Sequence, residues 1–230
     1  MQRHAGILQR IATVGLQIAL PLILLLSPLY LLVSPAFVRH EYRLSHIPAS
    51  TRLASAERLA ISDVLIGYLR GWNTLEDMTS LTTSAGEPAL TEREISHMVD
   101  VKRVLGWFLA AQRLAMGLAV LAGVWLLYDV GVVQLGRQLR LAAVTAAAII
   151  GALVAASLVD FDLFFTAFHQ LLFEEGTWTF WETDTLIQLY PLPFWADAVW
   201  KLGGLILVGL GLTYAVGTIL SKPRRSSSKG

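Results

Sequence analysis

The run Leu141-Ala-Ala-Val-Thr-Ala-Ala-Ala-Ile-Ile-Gly-Ala-Leu-Val-Ala-Ala-Ser-Leu-Val159 holds 19 residues without one charged side chain. A helix needs roughly 20 such residues to cross the hydrocarbon of a bilayer. Two more stretches read the same way. Ile11 to Val38 is 28 uncharged residues and Leu202 to Ser221 is 20. A fourth, about Val104 to Tyr128, carries Arg113 as its one charge. The chain has 230 residues, 55% hydrophobic and 15% charged, and this clustering of the apolar ones excludes a soluble globular protein. The fold class predicted is an all-α integral membrane protein, one membrane domain over residues 1–230, with four spans at about 11–37, 104–128, 141–158 and 194–220. Within the first span, Pro21 and Pro28 predict a kink. Its length also argues against a cleaved signal, whose apolar core is about 7 to 15 residues.

Four spans place both termini on one side, and the Lys/Arg bias of the short flanks predicts which. Arg3, Arg10, Arg137, Arg140, Lys222, Arg224, Arg225 and Lys229 flank the spans on the terminal side, where Asp129 is the only acid. Both termini are therefore expected in the cytoplasm. The formal net charge is +1, and a near-neutral chain without a segregated basic surface gives no reason to expect a nucleic-acid partner. Cysteine is absent, which removes a disulfide framework, a thiolate nucleophile and a cysteine zinc site.

Segments 39–103 and 159–193 are then extracytoplasmic, and both read as a helical cap rather than as linkers. From Ser55 to Leu69 the apolar residues Leu59, Val64, Leu65 and Tyr68 recur near one helical face, with Ser55 placed to cap. Thr91-Glu-Arg-Glu94 has the pattern of a capping box ahead of a helix that runs into the second span. The second outer segment is dense in aromatics, from Phe161 to Trp195, as suits the headgroup level. Trp195 and Trp200 are expected in an interfacial belt.

Without cysteine, histidine is the side chain best suited to proton or acyl chemistry near neutral pH. His4, His40 and His46 sit among polar residues and read as solvated. His97 and His169 stand apart, each close to a membrane boundary among apolar residues and carboxylates. On a helix, Asp100 lies one turn beyond His97, where it can orient the imidazole. Asp162 and Thr166 lie on the turns before His169, Phe165 one turn before it and Phe173 one turn after. The plain alternative is that each histidine bonds a backbone carbonyl at the interface. No HExxH or comparable metal-ligand spacing occurs, so neither a metal nor another cofactor is predicted. Asp184, after Trp178-Thr-Phe-Trp-Glu-Thr, reads either as part of a pocket or as a helix cap.

The segments His97-Met-Val-Asp-Val-Lys102, Phe168-His169, Phe173, Trp178, Phe180, Asp184-Thr-Leu-Ile187 and Pro191-Leu-Pro-Phe-Trp195 resemble the lipoprotein intramolecular transacylase family of bacterial inner-membrane proteins. Val64-Leu-Ile-Gly-Tyr-Leu69 is similar to a segment of that family's first outer region, and the resemblance extends over nearly the whole chain. It implies that His97 and His169 are catalytic and that the active site lies at the outer leaflet face. The implied substrates are diacylglyceryl-modified bacterial lipoproteins within membrane lipid. The implied reaction moves the sn-2 acyl chain to the α-amino group of the lipoprotein's N-terminal cysteine, leaving a lyso-form lipoprotein. One histidine, His97 held by Asp100, would serve as general base, and His169 would stabilise the oxyanion or protonate the alkoxide. The reverse assignment fits equally well. Tyr68 or the Trp178 indole would donate to the oxyanion.

Two other classes stay open on the residues alone. One is a membrane-embedded lipid hydrolase or phosphotransferase, in a metal-dependent version through His169, Asp160 and Asp162. The other is a non-catalytic docking or assembly protein. Transport ranks below both, because Arg113, Asp197 and Lys201 are the only charges inside a span.

Overall fold

The computed structural model describes residues 2–222, with side chains from residue 6 onward. Arg224, Arg225, Lys229 and the serines 226–228 lie outside the described residues, as do the side chains of Arg3 and His4. Among the described residues ten helices follow in order: α1 (Gln2–Leu26), α2 (Leu29–Leu32), α3 (Pro35–Glu41), α4 (Ser55–Arg70), α5 (Leu75–Thr79), α6 (Glu92–Asp129), α7 (Gly131–Val159), α8 (Phe161–Leu172), α9 (Thr185–Leu189) and α10 (Leu192–Leu220). Among the described residues no strand forms beyond an isolated bridge between Thr82 and Pro88. The spans Gly6–Leu32, Glu92–Asp129, Gly131–Val159 and Leu192–Leu220 are long and apolar enough to cross a membrane.

Two boundaries differ from expectation. In the first apolar stretch α1 continues as helix past Pro21 and is interrupted at Ser27-Pro28. Pro28 starts the short α2, and α3 starts afresh at Pro35, where the Ser34 hydroxyl accepts the Phe37 N–H. Pro28 and Pro35 thus each stand at a helix start, where the missing N–H removes no helical bond. The predicted loop 129–140 is also mostly helix. Only Val130 separates α6 from α7, which opens on Gly131 at φ 81°. Arg137 and Arg140 are good helix formers, so they mark where the apolar run ends without ending the helix.

The chain divides into two compact units. One comprises Met1–Ser27, Leu109–Ala155 and Gly203–Gly230. Inside it, Ala12 and Leu16 of α1 pack on Ala122 and Leu126 of α6, and Ala146 and Ile150 of α7 pack on Ile206 and Leu210 of α10. The Gln17 amide donates to the Gln138 carbonyl at 3.0 Å. The opposite faces, including Ile11, Leu114, Leu121 and Leu207, stay exposed, as lipid-facing surface must. α7 and α10 approach so closely that a Cβ on Gly217 would meet the Gly136 carbonyl oxygen at 2.8 Å and the Arg140 nitrogen at 2.9 Å. Small residues allow such backbone contact between membrane helices. Gly217→Ala is therefore expected to destabilise by about 1–3 kcal/mol, read as a lowered Tm in detergent. Gly203→Ala, with open space around its Cβ, is the control and should not lower it.

The other unit comprises Pro28–Phe108 and Ala156–Leu202. Its larger core gathers Leu53, Ile61, Leu65, Tyr68, Met78 and Met98 with Leu186 and Leu189, and a second gathers Phe37, Val38 and Ile66 with Phe194 and Ala198. On α4 the buried face carries Ile61, Leu65 and Tyr68, whereas Leu59 and Val64, expected on it, are half-buried. Ala54, not Ser55, holds the N-cap position, and no side chain caps there. Arg58 is buried: its guanidinium donates to the Pro48 and Leu189 carbonyls at 3.0 Å and lies 3.8 Å above the Tyr42 ring. A second buried charge is Glu41, 0% exposed, which accepts from the Lys201 ammonium at 2.6 Å. Asp197 lies 2.7 Å from that ammonium. Both in-span charges of α10 are thus paired in place, and the buried Glu41 has its cation.

Candidate active site

His97 sits in the second turn of α6, before the apolar part of that helix. The capping box read at Thr91 and Glu94 forms: Glu94 Oε2 accepts from the Thr91 N–H at 2.8 Å and from its hydroxyl at 2.9 Å. Glu94 also does something the pattern does not reveal. Its other oxygen accepts the Leu186 N–H at 2.7 Å, so one buried carboxylate ties the start of α6 to α9. Beside it Arg93 pairs with Asp184 at 2.7 Å, and the Thr185 hydroxyl donates to the Ala89 carbonyl at 2.6 Å. These bonds fix the end of the irregular segment 173–184 and the start of α9 beside the start of α6.

His169 sits in the last turn of α8. Asp160 starts that helix by accepting the Leu163 N–H at 2.9 Å. His169 Nδ1 lies 2.8 Å from the Phe165 carbonyl oxygen. A carbonyl only accepts, so Nδ1 carries the hydrogen and the neutral ring presents Nε2 as its basic nitrogen. The carbonyl-bonded state weighed as the plain alternative is therefore met at one nitrogen of His169. That bond leaves the other nitrogen for chemistry.

The two imidazoles, 72 positions apart in sequence, lie with ring centroids 6.3 Å apart and planes within 22°. Aromatic rings wall them in. Phe173 is 5.1 Å from His97 and 5.6 Å from His169, Phe180 is 5.2 Å from His97, and Trp178 is 5.1 Å from His169. Two buried polar atoms here have no hydrogen-bond partner, His97 Nδ1 and Trp178 Nε1. Unpaired buried polar groups are costly, and where they cluster in a native site they need a reason.

Both histidines are held below their ordinary range. His97 is lowered from 6.5 to about 4, chiefly by burial, then by the like charge His169 would carry, against a weaker pull from Asp100. His169 is lowered by burial, partly offset by the Phe165 carbonyl. Both rings are thus neutral at pH 7. In the unfolded chain they bind protons more readily, so folding stability is complete above about pH 6.5 and falls as pH drops toward about 4. For His97 the loss is on the order of 3 kcal/mol. His97→Asn should flatten the fall in Tm between pH 7 and 5, and an unchanged slope would contradict this.

The remaining predicted residues divide. Trp178 is at the rings. Asp100 does not bond His97: its carboxylate pairs with Arg103, and it acts on the imidazole only through space. The salt bridge wins because a full cation lies one turn away. Tyr68 belongs to the buried core cluster, the Lys102 ammonium lies 3.8 Å above its ring, and burial raises its pKa. Asp162 is exposed and lines an open cleft with Asp160, Phe161, Leu192, Pro193 and Ala196. Asp184 occupies the N-cap position of α9 without a side-chain cap bond, its carboxylate accepting instead from Arg93 and the Trp181 N–H. Trp200 is exposed, while Trp195 packs on Phe165 and Phe194. A backbone carbonyl as partner was the plain alternative for His169, but that it belongs to Phe165, and that Glu94 also bonds α9, was not foreseen. Backbone acceptors carry no signature in the side-chain pattern, and a capping box does not announce a second bond. Among the described residues no three His, Asp or Glu side chains gather as metal ligands.

Four apolar helices and a histidine pair walled by aromatic rings define an all-α, multi-pass membrane protein with a site suited to proton transfer. The model of the family described as "Lipoprotein intramolecular transacylase Lit" matches residues 14–195, and the chain belongs to that family of acyltransferases. A protein of Aquifex aeolicus (strain VF5), described only as uncharacterized, is 28% identical over 168 residues, covering 70% of this chain and 72% of its own. Solved structures of the membrane integral lipoprotein intramolecular transacylase Lit from Bacillus cereus share the fold. One, carrying a histidine-to-arginine mutation, has a TM-score of 0.74 at 21% identity over 95% of this chain and 94% of that one. Another has a TM-score of 0.73 at 20% identity over 96% and 97%.

Proposed function

We propose that this protein moves the sn-2 acyl chain of a diacylglyceryl lipoprotein to the α-amino group of the same molecule's N-terminal cysteine, using His169 and His97. The observation that carries this is the meeting of two neutral imidazoles beside two unpartnered buried nitrogens, in a chain of a transacylase family.

His169 Nε2 is the base. The amine attacks the ester carbonyl while Nε2 takes its proton, forming the N–C bond and a tetrahedral oxyanion. A neutral imidazole suits an α-amino group whose own pKa is about 8. Collapse breaks the bond to the sn-2 oxygen, and the imidazolium returns the proton to that departing alkoxide. The products are an amide and a free glycerol hydroxyl, so no water or co-reactant is consumed. His97, with its pKa held near 4, stays neutral throughout and serves as a hydrogen-bonding group rather than a proton carrier. The Trp178 N–H, unpartnered and buried, is the second donor for the oxyanion. Exclusion of water by the phenylalanines favours transfer over hydrolysis. Because amine and ester share one substrate, proximity supplies up to about 7–11 kcal/mol of the barrier once the two are aligned.

The topology that goes with this function puts both termini in the cytoplasm and the histidines at the outer leaflet face, where the lipoprotein's ester lies. The supporting observation is the Lys/Arg bias of the terminal flanks.

The test is co-expression with a model diacylglyceryl lipoprotein in a host lacking its own N-acylating enzyme, followed by tandem mass spectrometry of the N-terminal lipopeptide. One acyl chain on the cysteine nitrogen and one left on glycerol is the expected product. A free amine with both chains still on glycerol, in a membrane containing the folded protein, would overturn the reading.

A further inference from the structure

The turn after α4 displays an indole on a frame too well built to be a loose loop. Gly71 adopts φ 78°, and the Trp72 and Asn73 N–H groups both donate to the Gly67 carbonyl, at 2.8 and 3.2 Å. Asn73 fills the space where a Cβ on Gly67 would stand. Immediately afterwards Thr74 and Asp77 form a reciprocal capping box that starts α5, and Met78 anchors that helix in the core. Yet Trp72 is 65% exposed and Leu75 is 47% exposed. A rigid turn that holds two large apolar side chains outward points to a surface that covers them.

The neighbouring residue indicates which surface. Arg70 donates to the Val33 carbonyl at 3.0 Å, and its guanidinium lies 4.6 Å from the centre of the Trp72 ring. Val33 directly follows the membrane span Gly6–Leu32. The turn is therefore tethered at the level where a span leaves the hydrocarbon. The same pairing recurs where the apolar part of α6 begins: the Arg103 guanidinium lies 6.0 Å from the Trp107 ring, and Trp107 is likewise exposed. Indole and guanidinium together suit the headgroup layer, the ring contacting acyl carbons and the cation meeting phosphate.

We propose that Trp72 and Leu75 dock onto the lipid surface, making the α4–α5 turn a membrane anchor additional to the four spans. The occupant is the headgroup and upper acyl region of the bilayer. This does not depend on the reaction assigned to the histidines.

Because the chain has no cysteine, a single introduced one carries a spin label uniquely. Trp72→Cys and, separately, Leu75→Cys are labelled and placed in nanodiscs of phosphatidylethanolamine and phosphatidylglycerol. Collision with oxygen, which concentrates in lipid, is compared with collision with a water-soluble nickel chelate. Trp107→Cys gives the boundary reference and Glu87→Cys, on an exposed turn, the water reference. The expected result is loss of nickel-chelate collisions with retained oxygen collisions at 72 and 75, matching 107. Collision behaviour matching 87 would overturn the proposal. Shielding from both reagents would also overturn it, since a protein surface would then be the occupant. If Trp72→Cys fails to fold, the label at 75 decides by itself.

Discussion

Alanine in place of His169 is expected to lower the transfer rate by about 10²- to 10⁴-fold, the usual worth of a positioned general base. The reason lies in the ring's single hydrogen bond. With Nδ1 committed to the Phe165 carbonyl at 2.8 Å, all basicity resides on Nε2; the nearby His97, held near 4, is too weak a base to replace it, and the other neighbours cannot. Those other neighbours are Phe165, Phe168, Phe173 and Trp178, none of which titrates near neutral pH. The loss should fall on kcat, because the imidazole takes up its proton only as the amine attacks. The measurement is the rate of lyso-form product in detergent micelles, with variant and parent matched for amount and Tm. A variant that keeps full activity would remove His169 from the mechanism. His97→Ala tests the partner ring, and here the neutral, unprotonated role predicts a smaller loss than at His169.

Trp178→Phe is the second large effect expected, a fall of about 10²- to 10³-fold in kcat with little change in KM, as when an oxyanion donor is removed. Phenylalanine keeps a ring beside His169 and deletes only the indole N–H that the folded protein leaves unpartnered. Removal of a buried unsatisfied donor should, if anything, stabilise the fold. Activity and stability therefore move in opposite directions, which a simple packing defect could not produce. Unchanged kcat with raised stability would show the N–H to be idle.

Much of the architecture is legible in the chain. The runs 141–159 and 202–221 contain no charge, and no arrangement of them in water satisfies their side chains. The two prolines of the first run marked where its helix could be interrupted, and the break falls at one of them, Pro28. Whether Pro21 or Pro28 interrupts depends on which lost hydrogen bond the surroundings tolerate, a property of packing. Similarly, Arg137 and Arg140 mark the end of an apolar run, yet the backbone stays helical across them. Polarity patterns report the solvent around a segment and not its φ and ψ.

The site divides along the same line. His97, His169 and Trp178 stood out by residue type, position near a membrane boundary and family resemblance. Asp100 and Tyr68 did so too, but i,i+3 spacing only allows a contact. In the folded chain the carboxylate of Asp100 goes to Arg103, and Tyr68 goes to the core. Glu94 shows the converse, a residue whose local capping role was plain and whose bond to the Leu186 N–H was not.

By itself, then, the sequence determined the solvent: apolar runs of this length make the protein helical and membrane-bound whatever else happens, because unpaired backbone groups cannot remain in hydrocarbon. It also determined which residues were available for proton chemistry, since only histidine among its side chains ordinarily titrates near neutral pH. The tertiary structure alone decided that residues 97 and 169 meet, which nitrogen of His169 is basic, and that burial holds both rings below their ordinary range. Those properties arise from distance, burial and a single backbone carbonyl, which depend on contacts between residues far apart in the chain.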